Sequence, residues 1–115
     1  MFADFFKRSK KVDTDVNITT TSINDYYFTY PYVFCIEDRN HIIYDWGRDP
    51  EREGNASFIR KWLADNCKDK ARLDVHRAVR LMDNYWVMNE FSGTDFYFVA
   101  FRDIQDYQWF MLRWL

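Results

Sequence analysis

The residues with the densest chemical potential fall between His41 and Glu53, where one imidazole and four carboxylates (Asp45, Asp49, Glu51 and Glu53) occur within thirteen positions. Such a group could ligate a cation or move protons. A calcium loop of the helix-loop-helix type needs acids at alternate positions, a central Gly and a distal Glu, and this stretch does not supply that order. The H-E-x-x-H pattern and the Cys/His spacings of zinc sites are also missing from the sequence. A hydrolytic triad is a spatial arrangement that spacing alone does not decide, but two histidines and no serine nucleophile motif leave little to build one from. The sequence therefore reads as non-enzymatic, with no cofactor and no metal expected.

A second group is Arg72, His76 and Arg80. Four-residue spacing keeps the three on one face whether the segment is a helix or a strand. Two guanidiniums flanking an imidazole could receive a phosphate or a carboxylate, or steer an acidic partner. The plainer alternative is a solvated face beside Asp74, and no Gly-rich phosphate loop reinforces the first.

The third is Trp109. At about 100° per residue it lies opposite the apolar face of the segment that ends the chain, closer to Gln105, Asp106 and Arg113. An exposed indole is a favoured anchor for a partner, because it buries a large area with few rotamers to order. The alternative is that the N-terminal segment MFADFFKRSKK covers it. That segment places Phe2, Phe5 and Phe6 on one helical face and follows them with four basic residues. It reads as a docking peptide or interfacial anchor, or as a short helix closing the protein's own apolar surface.

The elements that must position these residues are organised by the last twenty-one. Asp95 opens Phe96-Tyr97-Phe98-Val99-Ala100-Phe101, apolar at every position, the pattern of a strand in the middle of a sheet. Asp103 then suits a helix N-cap, with Asp106 in the first turn at the positive end of the dipole. Ile104, Tyr107, Phe110, Met111, Trp114 and Leu115 share the face that would fold back onto the sheet.

Upstream, residues 12 to 25 are polar and read as a linker or a weak edge strand. Tyr26 to Glu37 alternates with period two, but Pro31 cannot donate to a ladder, so the strand should start near Tyr32. Asp38-Arg39-Asn40 offers turn chemistry, and His41 to Trp46 reads as the returning strand of a hairpin. Pro50 and Gly54 bracket a single helical turn. Asn55 or Ser57 then caps a helix whose Phe58, Ile59, Trp62, Leu63 and Cys67 recur at three- and four-residue spacing. Ala71 to Met82 fits either period. A strand is the better choice, because Asp83-Asn84 then turns into Tyr85 to Phe91 and a meander reaches the final strand.

The expected fold is α+β: an antiparallel sheet of about five strands and two main helices in the order β-β-α-β-β-β-α. A single domain over residues 26–115 follows an N-terminal amphipathic segment and linker over 1–25, with a short N-terminal helix as a candidate. At 115 residues and 21% aromatic, large rings let a short chain build a core.

The formal charge of −2 excludes a generally basic nucleic-acid binder. The charge is uneven, however. Residues 60–80 carry seven Lys/Arg against three Asp, and residues 83–106 carry five acids against Arg102. Tyr-rich strands raise the idea of stacking on single-stranded nucleic acid, but Tyr26 to Trp46 sets Glu37, Asp38 and Asp45 against Arg39, where such a platform needs flanking bases. Cys35 and Cys67 form no C-x-x-C pair and read as reduced thiols of a cytoplasmic protein. No stretch reaches the length of a membrane span.

The strand Phe96–Phe101, the acids Asp103 and Asp106, and the run Phe110-Met111-Leu112-Arg113-Trp114 together resemble the C-terminal strand and helix of small proteins of tailed bacteriophages. The likeness covers about a fifth of the chain and consists mostly of core residues. It implies a phage origin and a role in binding a host or phage protein, and it brings no site residues with it. Three functional expectations stand: a binding protein that modulates a protein partner, a nucleic-acid-binding or nucleic-acid-mimicking module, and a self-associating dimer.

Overall fold

A computed structural model describes residues 21–44 and 55–115. Their elements run α1 (Ile23–Tyr26), β1 (Tyr32–Ile36), a 3-10 turn (Ile42–Tyr44), α2 (Ala56–Asn66), β2 (Ala71–Met82), β3 (Tyr85–Met88), β4 (Thr94–Phe101) and α3 (Ile104–Trp114). The fold is α+β, as the alternation of patterns predicts. Four strands form the sheet, in the order β1-β4-β2-β3. The chain divides into two compact units, one containing residues 21–26 and 76–95, the other 27–44, 55–75 and 96–115.

The second unit holds the main core. β4 is an interior strand, and Tyr97 to Phe101 are all buried. Burial on both faces is the reason its sequence shows no alternation. β1 pairs with it antiparallel, from Tyr32 opposite Phe101 to Ile36 opposite Tyr97. Tyr97, Val99 and Phe101 project into a cluster with Ile36, Ile43 and Leu73, closed by Ile59 and Leu63 of α2 and Phe110 of α3. The Tyr44 hydroxyl ties the end of the ladder, donating to the Ile36 carbonyl at 2.6 Å and accepting from the Tyr97 amide at 3.0 Å.

The first unit is a smaller construction around the β2–β3 hairpin. Asn84 takes a φ of 61° in the turn, a left-handed conformation that Asn tolerates better than most residues. The register pairs Ala78 with Met88 and Val79 with Val87, then shifts between Arg80 and Met82. On the far side of β3, Ser22 bridges to Val87 and the Thr21 carbonyl accepts from the Met88 amide at 2.8 Å, so this edge is covered over those residues. A Cβ on Gly93 would collide with the Asn89 carbonyl and lie 2.7 Å from the Ala78 nitrogen, so the turn into β4 admits no side chain there.

The structure corrects several expectations. The hairpin of Tyr26–Glu37 with His41–Trp46 does not form: β1 pairs with β4, and Ile42–Tyr44 is a 3-10 turn. That removes one of the five expected strands. Tyr26 belongs to a helical turn rather than a strand, because Ser22 Oγ accepts from the Asp25 amide at 3.0 Å and caps α1. Asn55 stands at the N-cap position of α2 but makes no side-chain cap. Its amide donates instead to the Ile42 carbonyl at 2.8 Å. Phe58, Ile104 and Leu115, expected on core-facing stripes, are exposed. The helical turn at Asp49–Gly54 and the N-terminal helix lie outside the described residues. Among the described residues, no helix is long and apolar enough to cross a membrane.

Candidate functional site

Helix α3 is fixed at both ends and along one side, and this fixing determines what it displays. At its start the Asp103 carboxylate accepts from the Gln105 amide at 2.7 Å and the Asp106 amide at 3.3 Å, the expected N-cap. Asp106 itself is only 1% exposed. Its two oxygens each accept from the Lys68 amide at 3.0 Å, and Oδ2 also accepts from the Asp69 amide at 3.1 Å. A side chain on α3 thereby satisfies the backbone that leaves α2. At the other end His41 Nε2 meets the Trp114 carbonyl at 2.9 Å.

Along its length α3 packs through aromatic rings onto α2. Trp62 meets three rings of α3 edge to face: Phe110 at 6.1 Å, Trp109 at 6.2 Å and Trp114 at 6.3 Å between centroids. Edge-to-face pairs of this kind contribute about 0.5–1.5 kcal/mol beyond area burial. Phe110 is fully buried, but Trp109 is 54% exposed. The indole is thus steadied by Trp62 and about half open to solvent. Leu112, three residues on and therefore its neighbour on the helix, is 87% exposed. Leu115 and, on α2, Phe58 add further exposed apolar surface. Arg113 folds over Trp114, its guanidinium carbon 4.1 Å from the ring centroid, within cation–π range.

Arg72, His76 and Arg80 all lie on β2 at four-residue intervals. Arg72 is engaged locally: its Nη2 is 3.1 Å from Asp74 Oδ2, and its guanidinium lies 5.3 Å from the Tyr27 ring and 6.0 Å from the Tyr30 ring. Asp74 also accepts from the Tyr27 hydroxyl at 2.7 Å. His76 belongs to the other unit, where its ring meets Tyr26 in a T-shaped contact at 4.8 Å. Arg80 is exposed and stands opposite Trp86 in the hairpin. Phe2, Phe5 and Phe6 lie outside the described residues.

Of the acid-rich stretch, His41 is described. Its Nδ1 accepts from the Ile43 amide at 3.1 Å, so Nε2 carries the proton and donates to Trp114. Among the described residues no group of three His, Cys, Asp or Glu side chains is placed to hold a metal ion. Cys35 and Cys67 are free thiols. Burial pushes the Cys67 thiol up to about 11, helped by the negative charges of Asp106 and Asp103, which is the wrong direction for a nucleophile.

The supporting role of Trp62 and the exposure of Leu112 escape a reading of single elements. The signal for Leu112 was its i, i+3 relation to Trp109. Trp62 has no comparable mark, since a Trp on an amphipathic helix reads simply as core. Comparison with known protein families, with curated proteins and with solved structures gives no match.

Proposed function

We propose that this chain is a non-enzymatic binding protein that docks a protein partner on the outer side of α3, with Trp109 as the anchor and Leu112 beside it. The observation that carries this reading is the half-exposed Trp109 indole held edge-on by Trp62, on a helix tied down at both ends. An aromatic side chain already restrained in the free protein loses little entropy on docking, which is the usual property of a binding hot spot. The partner accordingly offers an apolar recess wide enough for an indole. A cytoplasmic setting, and modulation of a host or phage protein as the phage resemblance implies, belong to the same reading.

Site-specific photo-crosslinking tests it. With a photoreactive phenylalanine analogue in place of Leu112, irradiation in the native cell should give one discrete protein adduct that Trp109→Ala removes. An adduct with nucleic acid would favour a nucleic-acid module, and an adduct of two copies of this chain would favour a homodimer. Either outcome, or an adduct indifferent to Trp109, contradicts the reading.

A further inference from the structure

A second feature has no residue of α3 in its lining. The last two turns of α2, the 67–70 connection and the first four residues of β2 border an open groove of about 540 Å3. That volume falls within the usual range for small-molecule sites, about 300–1,000 Å3. Leu63 and Leu73 line its buried side, with Ala64 and Ala71 nearer solvent. Arg60, Lys70 and Arg72 supply three cations to its lining against the carboxylates of Asp69 and Asp74.

Bonds hold Arg60 and Arg72 in place, and three cations against two carboxylates leave the groove net cationic. Arg60 Nε and Nη2 both donate to the Leu73 carbonyl, at 3.2 and 3.0 Å, which holds the guanidinium against the start of β2. The two carboxylates differ in their partners, since Asp74 is paired inside the lining and Asp69 also outside it. Asp74 shares its charge between Arg72 and the Tyr27 hydroxyl. Asp69 accepts from the Lys70 amide at 2.6 Å and faces Arg102 at 3.9 Å. The exposed Lys70 ammonium has no ion-pair partner among the described residues. The Cys67 thiol stays protonated at neutral pH and adds no negative charge to the lining.

We propose that this groove binds an amphiphilic small-molecule anion, its apolar body along Ala64 and Ala71 and the edges of Leu63 and Leu73 that reach the groove, and its carboxylate or phosphate at Lys70. An apolar wall alone would accept neutral molecules equally well, and an exposed cation alone would bind simple ions weakly. The two side by side select a molecule with both features. The site does not depend on α3 displaying Trp109, so each proposal stands or falls without the other.

The test is a titration of the 15N-labelled full chain with octanoate and with octyl phosphate at low ionic strength, where screening is least. Either anion should shift the backbone amides of Leu63, Ala64, Cys67, Ala71 and Leu73. Octanol and inorganic phosphate, each lacking one feature, should bind about tenfold more weakly. Lys70→Glu should weaken the anions about five- to tenfold, consistent with reversing one exposed charge, and Lys70→Gln should weaken them less. Trp109→Ala should leave the titration unchanged. Saturation by one anion alone identifies the headgroup. Failure of both, shifts confined to α3, or affinity unchanged in Lys70→Glu overturns the proposal.

Discussion

His41 donates from Nε2 to the carbonyl of Trp114 while its Nδ1 accepts from the amide of Ile43, so one imidazole joins the 3-10 turn to the end of α3. The two bonds fix the tautomer and leave the ring no freedom to turn over without losing both. The last turn of α3 therefore depends on a residue seventy-three positions earlier.

His41→Ala strands the Ile43 amide and a terminal helix carbonyl together. Two hydrogen bonds at a half-buried site are worth about 1–3 kcal/mol. Urea denaturation should show that loss. A variant as stable as the parent would mean that both groups find water at no cost.

Asp106 carries a heavier demand, because its carboxylate serves two amides of the 67–70 connection from a position closed to solvent. Asp106→Ala leaves those amides unpaired beside a small void, and a cost of about 2–4 kcal/mol is expected. Asp103→Ala removes an N-cap at a less buried position and should cost only about 1 kcal/mol. Equal losses in the two variants would show that Asp106 acts merely as a favourable charge at the helix start.

Cys67 gives a prediction with a definite sign. Its folded value of about 11 stands above the ordinary thiol value of 9.0, so the folded chain holds the proton more tightly. The associated stability is complete below about pH 9 and is lost as pH rises toward 11. Cys67→Ala should flatten that part of the stability profile. Alkylation of Cys67 at pH 8 should be about tenfold slower than that of a peptide thiol, the scarcer thiolate being partly offset by its greater nucleophilicity. A rate equal to that of the unfolded chain would contradict the thiol's environment.

How far the sequence reveals this structure differs from element to element. The unbroken apolar run of Phe96–Phe101 marks an interior strand because burial on both faces leaves no room for polar alternation. The Asp103 cap and the strand over Ala71–Met82 are also legible, the latter because Asp83-Asn84 is turn chemistry that Asn84 then uses, but the expected meander stops at β3, since β4 lies beside β2 rather than β3. Tyr26 misleads, since β-favouring aromatics outweigh in composition a Ser22 cap that a four-residue helix needs to form. The segment after Asn40 misleads for a different reason: β1 is claimed by β4, and no local pattern records a pairing across sixty residues. At the candidate site, the outward placement of Trp109 follows from helical periodicity alone. Its support by Trp62 and the buried duty of Asp106 are tertiary, and their residue types say nothing of either.

Helix α3 hides Phe110 and displays its neighbour Trp109. Comparing the stability of Trp109→Ala with that of Phe110→Ala measures this directly. Phe110 is fully buried in the core, and its truncation should cost about 3–5 kcal/mol. Trp109 is half-exposed, and among the described residues its ring contact is the edge-to-face one with Trp62, so its truncation should cost less than about 1.5 kcal/mol. A Trp109→Ala loss as large as that of Phe110→Ala would mean that the indole is structural, and the docking surface would go with it.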